Sequence, residues 1–254
     1  MFFEIEGLTK RFGGLTAVAD VSFAIAQGEI VGVFGPNGSG KTTLLNLIAG
    51  IYAPSEGRLV FKDRKLAGAK PHELAALGIV KTFQNPQLFA ELSVAEHVLI
   101  AAHLKLKRAL GAGRIATLFN RHLHEHSLSA EVERVLALCR LREIRDERAA
   151  SLSYGNEKML GVAMALMCEP ELLLLDEPAT GLGEDEIKNL DEVLRALRAH
   201  GTTLCIIDHK VGFLSTLADR AIAMHHGSKI AEGPPAEVLE NPDVVAAYLG
   251  RGHA

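Results

Sequence analysis

A glycine-rich segment between a strand-like and a helix-like run constrains this chain more than any other feature. The apolar run Ile30–Phe34 precedes Gly35-Pro36-Asn37-Gly38-Ser39-Gly40-Lys41-Thr42-Thr43, and an apolar helical pattern follows from Leu44 to Ala49. Glycines let backbone N–H groups curve around an anion, and the helix start adds its positive dipole end. Lys41 directs a charge toward the terminal phosphates, and the Thr42 hydroxyl is placed to bind Mg²⁺. The segment predicts a nucleoside-triphosphate site.

Two carboxylates follow a second apolar run. Leu172–Leu175 is typical of a strand buried on both faces, and Asp176 and Glu177 come at its carboxyl end, where open α/β sheets bind ligands. We expect Asp176 to hold Mg²⁺ through its coordination shell and Glu177 to polarise the water that attacks the γ-phosphate. A solvated Asp-Glu turn would be the better interpretation of the dipeptide if the phosphate loop were absent.

Two further polar residues follow strand patterns. His209 comes after Leu204–Asp208, so we expect it at the same sheet edge, where it can donate to the γ-phosphate or orient the water. Gln84 follows the short run Gly78-Ile79-Val80, and its amide could contact Mg²⁺ or the water while ATP is bound and release it after hydrolysis. Either residue alone would indicate no function.

The segment Ser153-Tyr154-Gly155 precedes an apolar helix pattern, Met159–Met167. Ser153 is typical of a helix N-cap, and capping alone explains its presence. A helix start with Ser and Gly is also an anion site. Because the phosphate loop already holds one set of phosphates, a second anion site implies a second chain.

The order of the patterns indicates the fold class. Strands joined by turns occupy residues 1–65, a mostly helical insertion runs from Ser93 to Leu141, and strands and helices then alternate, which predicts a parallel sheet with crossover helices. The tail Pro234–Gly250 predicts two short helices that break at Asn241-Pro242. The predicted strands are Phe2–Leu8, Val21–Ile25, Ile30–Phe34, Arg58–Phe61, Leu172–Leu175, Leu204–Asp208 and Ala221–Met224, and the later helices are Glu184–Ala199 and Val211–Ala218.

Composition excludes several classes of protein. The 27 basic and 31 acidic residues give a net charge of −4 without a basic block, which argues against a nucleic-acid partner. Cys139, Cys168 and Cys205 have no paired spacing, so we expect small buried side chains in a reducing compartment. The amino terminus is typical of a strand and not of a signal peptide, and no run reaches the roughly 18 apolar residues of a spanning helix. A role at a membrane would therefore require a partner.

A basic, histidine-rich stretch from Lys105 to His126 is predicted to be a mobile surface connector. Its histidines could suggest a metal site, and its basic residues could approach anionic lipid headgroups. No carboxylate or cysteine pattern completes a tetrahedral metal site, so a solvated connector is the preferred interpretation. The residues concerned are His122, His124, His126, Lys105, Lys107, Arg108 and Arg114.

Taken together, these motifs resemble those of ATP-binding cassette (ABC) transporter ATPases over essentially the whole chain. Three longer stretches are most similar to the ATPase subunits of branched-chain amino-acid importers. They are Leu8–Leu15, Lys81–Phe89 and the tail that contains Ala231–Pro234, Asn241–Asp243 and Ala247–Gly250.

The resemblance implies a P-loop NTPase core with a parallel sheet, an N-terminal antiparallel β subdomain and an inserted helical subdomain. The single ABC ATPase domain would span 1–254, with the core at about 1–90 and 168–254 and the helical subdomain at about 91–167. It also implies that Phe12 stacks on adenine and that two ATPases, identical or different, close on ATP between the phosphate loop of one and Ser153–Gly155 of the other.

The implied function is ATP hydrolysis, with Mg²⁺, that energises uptake of branched-chain amino acids or a related small polar solute. Permease subunits would hold the ATPase on the cytoplasmic face of the membrane, and a solute-binding protein would act indirectly. The alternatives are an export-linked or soluble non-transport ABC ATPase and, outside the superfamily, a small-molecule kinase. Asn156 and Glu157 depart from the Gln and basic residues usual after the signature, which predicts slower or partner-dependent hydrolysis.

Overall fold

The computed structural model describes the backbone of residues 1–102 and 117–249 and the side chains of 1–102 and 128–248. The chain divides into two compact units, of which the first comprises Met1–Lys81, Glu171–Thr180 and Leu194–Ala254 and the second comprises Thr82–Pro170 and Gly181–Val193. The strands are β1 (Phe3–Phe12), β2 (Leu15–Ile25), β3 (Ile30–Phe34), β4 (Glu56–Phe61), β5 (Arg64–Lys65), β6 (Ile79–Lys81), β7 (Leu172–Asp176), β8 (Thr203–Ile207), β9 (Arg220–His225) and β10 (Ser228–Gly233). The α-helices are α1 (Lys41–Ile48), α2 (Pro71–Ala76), α3 (Val94–Ala101), α4 (Thr117–Leu138), α5 (Tyr154–Leu166), α6 (Glu184–Ala199), α7 (Val211–Leu217), α8 (Pro235–Glu240) and α9 (Pro242–Leu249).

A six-stranded sheet of order β10-β9-β3-β8-β7-β6 forms the core of the first unit. Only the edge pair β9–β10 is antiparallel, whereas the other pairs are parallel. Every residue of β3, β7 and β8 is buried, as expected for apolar strands with both faces covered. The predicted α/β fold with a parallel sheet is therefore confirmed, and the tail contains two short helices, as predicted.

A four-stranded antiparallel sheet of order β2-β1-β4-β5 completes the first unit. Its inner face is apolar because Phe3, Ile5 and Leu8 of β1 are almost fully buried. Strands β1 and β2 extend further than their sequence patterns predicted and form a hairpin with Gly13 and Gly14 between them. The outer part of this hairpin, from Leu15, is largely exposed, so its residues lack the apolar alternation that indicates a strand.

Helices dominate the second unit, as predicted for the insertion. Helix α3 begins at a capping box in which the Ser93 hydroxyl accepts from the Glu96 N–H and the Glu96 carboxylate accepts from the Ser93 N–H. The predicted connector from Lys105 to His126 is wrong in its second half, because residues from Thr117 onward are helical. No glycine or proline interrupts Thr117–His126, so nothing in that stretch ends the helix.

The cysteines agree in part with the prediction of small buried side chains. Cys139 and Cys205 are buried and Cys168 is partly exposed, and all three are free thiols. Burial raises the pKa of the Cys139 and Cys205 thiols to about 12, so both stay protonated and unreactive. Within the described part of the chain, no group of three or more His, Cys, Asp and Glu side chains is arranged to hold a metal ion. No described helix is long and apolar enough to cross a membrane. The side chains of His122, His124, His126, Lys105, Lys107, Arg108 and Arg114 lie outside the described residues.

An ion pair holds the first unit together at the start of β3 and β9. The Arg220 guanidinium donates from Nε to Glu29 Oε1 at 2.7 Å and from Nη2 to Glu29 Oε2 at 3.0 Å, and it also contacts Glu232. Burial alone would raise the pKa of Glu29, but the hydrogen bonds and charge of Arg220 outweigh it and lower that pKa. Glu29 therefore stabilises the fold above its ordinary pKa of 4.5, and the stabilisation is lost as the pH falls through the lowered value.

We expect Glu29→Gln to lower the melting temperature at pH 7 by on the order of 5 °C, because charge-assisted hydrogen bonds stabilise more than neutral ones. The difference from wild type should shrink as the pH falls from 4.5, the ordinary pKa, through the lowered pKa of Glu29. Thermal melts of both proteins across this range test the prediction. Glu56→Gln is the control, since Glu56 forms an exposed pair with Arg11, and an equal loss in that variant would contradict a special role for Glu29.

Candidate nucleotide site

The phosphate loop lies between β3 and α1, at the carboxyl edge of the parallel sheet. Gly38 and Gly40 have φ values of 78° and 98°, which place both in the left-handed region that favours glycine. A Cβ on Gly40 would lie 2.4 Å from the Ala17 carbonyl oxygen, whereas a Cβ on Gly38 would meet no atom within 4 Å. Gly40 is therefore required by close packing as well as by backbone conformation.

A turn between β9 and β10 braces this loop. The Gly227 N–H donates to the Ser39 carbonyl at 3.0 Å, and the Gly227 carbonyl accepts from the Ala19 N–H at 2.9 Å. His226 holds a φ of 47°, in the left-handed region. The turn thus connects the loop to β2, a connection that the sequence motif does not indicate.

Lys41 points back into the loop. Its ammonium donates to the carbonyls of Gly35 and Pro36 at 2.8 and 3.0 Å and lies 3.4 Å from the Ser39 hydroxyl. Burial lowers the pKa of Lys41, and the carboxylates of Glu177, Asp176 and Asp208 oppose that shift. In this structure the Lys41 ammonium is therefore hydrogen-bonded to the loop carbonyls.

A cavity of about 490 Å³ opens in front of the loop. Most of the predicted phosphate-binding residues line it, and Glu177 borders it from the end of β7. Part of the wall has no sequence motif that indicates it, namely Leu15–Ala17 of β2 and the turn residues His226 and Gly227. The predicted residues in the wall are Asn37, Gly38, Gly40, Lys41, Thr42 and Thr43, while Gly35, Pro36 and Ser39 lie within the same loop but not in the wall.

The predicted catalytic carboxylate and histidine lie side by side. The Thr180 hydroxyl donates to Glu177 Oε2 at 3.2 Å and lies 3.3 Å from His209 Nδ1, and that nitrogen is 3.7 Å from Glu177 Oε2. Glu177 has a φ of 49°, a left-handed conformation that is uncommon outside glycine and that recurs at functional sites. Thr180 is a site residue that the motifs did not indicate.

A buried acid positions the segments on both sides of this cluster. Asp208 is fully buried, and its two oxygens accept from the N–H groups of Ala179 and Lys210, both at 2.9 Å. The carboxylate therefore holds the chain after Glu177 against the chain around His209. The sequence analysis assigned no role to Asp208, although its position at a strand end is the same signal that singled out Asp176.

Asp176 has a different environment. Its Oδ2 atom lies 2.9 Å from the Lys81 ammonium, and its buried Oδ1 atom has no hydrogen-bond partner. A buried carboxylate oxygen without a donor is costly unless a ligand satisfies it. Asp176 therefore offers one oxygen to a cation or to that cation's water shell.

Phe12 lies at the tip of the β1–β2 hairpin with its ring 42% exposed. The ring packs edge-on against Tyr52 at 5.2 Å between centroids, and the Lys10 ammonium lies 5.0 Å from its centroid. Phe12 is outside the wall of the cavity. This exposure excludes the alternative of an ordinary core phenylalanine.

The remaining predicted residues belong to the second unit. Ser153 caps α5, since its hydroxyl accepts from the Asn156 N–H at 3.2 Å, so the capping interpretation is confirmed. The Tyr154 hydroxyl donates to the Asn85 side chain at 3.2 Å, and a Cβ on Gly155 would collide with the Glu186 carboxylate. Gln84 is exposed.

Two charged residues, Glu157 and Lys158, lie near the start of α5. Lys158 is buried, and its ammonium lies 5.3 Å from the centroid of the Tyr154 ring. Glu157 is in the first turn of α5 and is partly buried.

Comparison with known proteins identifies the family. The family model described as "ABC transporter" matches residues 18–180, from β2 to the segment after Glu177. The chain belongs to the ABC transporter family. A second model, described as "Branched-chain amino acid ATP-binding cassette transporter", matches residues 228–254. The resemblance to ABC transporter ATPases predicted from the motifs is therefore confirmed.

Relatives and solved structures agree with this assignment. The chain is 39% identical over 250 residues to the high-affinity branched-chain amino acid transport ATP-binding protein LivG of Salmonella typhimurium, covering 97% of this chain and 96% of LivG. It is 35% identical to the corresponding protein BraF of Pseudomonas aeruginosa, covering 97% of each chain. The crystal structure of the ADP conformation of an ATP-binding cassette of an ABC transporter superposes with a TM-score of 0.85 at 30% identity, covering 98% of this chain and 99% of the other.

We expect Gly40→Ala to destabilise the nucleotide-free protein more than Gly38→Ala does. Both changes impose a left-handed alanine, which costs about 1 kcal/mol, or roughly 2–4 °C in melting temperature. Only the Gly40 variant adds a clash with backbone, so its loss should exceed that of Gly38→Ala at least about twofold. Thermal melts without nucleotide test this, and equal losses would contradict the packing role of Gly40.

Proposed function

We propose that this chain is the ATP-binding and ATP-hydrolysing subunit of a membrane ABC importer that energises uptake of branched-chain amino acids or a related small polar solute. Similarity to LivG and BraF over nearly the full length of each protein supports this function. The match of residues 228–254 to a branched-chain family model favours it over an export-linked or soluble non-transport ABC ATPase. In this function the subunit lies on the cytoplasmic face of the membrane and is held there by permease subunits.

One observation carries the proposed chemistry: Glu177 borders the cavity that the phosphate loop lines, and Thr180 and His209 lie beside Glu177. The loop N–H groups and the Thr43 hydroxyl bind the phosphates. Lys41 exchanges the loop carbonyls for phosphate oxygens when ATP enters. Glu177 then accepts a proton from the attacking water, and His209 donates to the γ-phosphate or orients that water.

The donor set fits Mg²⁺, which prefers oxygen ligands and keeps several waters. Asp176 Oδ1 is buried and unpartnered, and Thr42 supplies a hydroxyl at the start of α1. Asp176 and Thr42 would hold the ion, which would supply positive charge against the negative charge that develops on the phosphate oxygens. On the basis of its motif alone, we propose that the Gln84 amide contacts Mg²⁺ or the attacking water while ATP is bound and releases it after hydrolysis.

We expect Glu177→Gln to lower the steady-state ATPase rate of the assembled transporter by about 10²–10⁴-fold, because the amide cannot accept the proton. ATP binding should change little, since the phosphate loop is intact. Phosphate release and fluorescent-nucleotide binding measure the two effects. Glu171→Gln is the control, because Glu171 forms an exposed pair with Lys62. Full ATPase activity in Glu177→Gln would contradict the role of Glu177 as base.

We further propose that a second ATPase, identical or different, completes the site by placing its own Ser153–Gly155 against the ATP bound here. A solute-binding protein acts on the permease and not on this chain. The partly buried carboxylate of Glu157 lies in the first turn of the same helix, which favours hydrolysis that is slower or depends on the partner.

Ser153→Asp separates capping from phosphate binding. Aspartate caps a helix as well as serine does, but it would repel a phosphate at the helix start. We expect this variant to keep its melting temperature within about 1–2 °C of wild type and to lose ATPase activity at least about tenfold. Ser153→Ala is the control that removes the cap and adds no charge. Unchanged activity in Ser153→Asp would show that Ser153 is a cap and nothing more.

A further inference from the structure

A largely buried ion pair in the first unit joins Asp176 to Lys81, a residue without a role in the proposed hydrolysis. The Lys81 ammonium lies 2.9 Å from Asp176 Oδ2, and the two side chains are only 11% and 5% exposed. Most ion pairs between described residues have at least one exposed partner, and exposed pairs stabilise a protein little. Two charges withdrawn from water cost several kcal/mol each, so a buried pair depends on both of its partners.

The register of the sheet places Lys81 beside Asp176. Lys81 ends β6 and pairs in parallel with Leu174 of β7, and Asp176 lies two residues further along β7. Residues i and i+2 of a strand share one face of the sheet, and parallel partners share that face too. The long lysine side chain therefore reaches along the sheet, past Leu174, to the carboxylate. Helix α1, which carries Lys41 and Thr42, contacts β7 as well.

The two oxygens of Asp176 differ in what they contact. Oδ2 faces the Lys81 ammonium, whereas Oδ1 is buried and has no hydrogen-bond partner. The other cation of the site, Lys41, donates to the carbonyls of Gly35 and Pro36 and to the Ser39 hydroxyl. Without Lys81, the carboxylate of Asp176 would lose the cation that is paired with its Oδ2 atom.

We propose that Lys81 is a positioning residue for the Mg²⁺ site. While no metal is bound, Lys81 neutralises and orients Asp176 through its contact with Oδ2. When Mg²⁺ binds at Oδ1, the positive charge of Lys81 repels it. This inference rests on the proposed function, in which Asp176 holds Mg²⁺ through its coordination shell. Lys81 stabilises the metal-free protein and raises the Mg²⁺ concentration that nucleotide loading requires. The two effects have opposite signs, and a lysine that only fills space would not produce both.

The experiment compares wild type with Lys81→Gln, Lys81→Met and Lys81→Arg, each as the full chain. Glutamine and methionine remove the charge, and arginine keeps it. Two quantities are measured: the melting temperature in EDTA without nucleotide, and the Mg²⁺ concentration that half-saturates the binding of a fluorescent ATP analogue. Lys62→Met is the matched control, because Lys62 forms an exposed pair with Glu171.

We expect Lys81→Met to lower the melting temperature in EDTA by on the order of 5–15 °C, the loss typical of a buried charge left unpaired. Lys81→Gln should lose less, because an amide can still donate to Oδ2. Both variants should half-saturate at an Mg²⁺ concentration lower by on the order of tenfold, because one positive charge near the metal is gone. Lys81→Arg and Lys62→Met should match wild type in the Mg²⁺ titration.

A double variant, Lys81→Met with Asp176→Asn, separates lost charge pairing from lost packing. With no charge left to compensate, its melting temperature in EDTA should recover most of the loss seen in Lys81→Met. No recovery, or an unchanged Mg²⁺ requirement in Lys81→Gln, would overturn the role of Lys81. If the wild-type protein instead bound the fluorescent ATP analogue equally well at every Mg²⁺ concentration, the metal role of Asp176 in the proposed function would be overturned. The role of Lys81 would be overturned with it.

Discussion

The parallel hydrogen-bonded register of β3, β8 and β7 determines where the chemical groups of the nucleotide site lie. Val33 pairs with Ile207 and Ile207 pairs with Asp176, so the three strands end in one row. The phosphate loop, the segment of His209 and the segment of Glu177 start directly after that row. A shift of one residue in β7 would turn Asp176 to the opposite face of the sheet. The register of the sheet therefore determines the positions of the site residues, and their side chains determine the chemistry at those positions.

Local sequence predicted the parts of the site that follow buried strands. Apolar runs such as Leu172–Leu175 are unambiguous when turn residues bound them, and their carboxyl ends locate ligands in α/β sheets. The outer half of β2 and all of β10 were missed, because edge strands with partly exposed residues carry no apolar alternation. His226 and Thr180 were missed for a different reason: their positions arise from the packing of a turn and from a hydrogen bond, neither of which has a sequence signature.

The helical insertion shows the same limit. Ser93 with Glu96 at the third helical position is a capping box that a sequence can reveal, and the structure contains both of its hydrogen bonds. The helical part of the histidine-rich stretch, Thr117–His126, has a polar composition that suggested a connector. Composition alone is a weak guide there, because a helix interior tolerates polar residues when no glycine or proline interrupts it.

Two aspartates at equivalent strand ends show how environment separates roles that sequence makes look alike. Asp176 and Asp208 each terminate a buried strand that leads into the site. Each oxygen of Asp208 accepts a hydrogen bond from a backbone N–H group, which makes this side chain a brace between Ala179 and Lys210. Asp176 instead contacts a lysine through one oxygen and leaves the other buried and unpartnered. An unsatisfied buried oxygen is costly, so a cation or a donor bound at Oδ1 would stabilise Asp176, whereas Asp208 already has a donor on each oxygen.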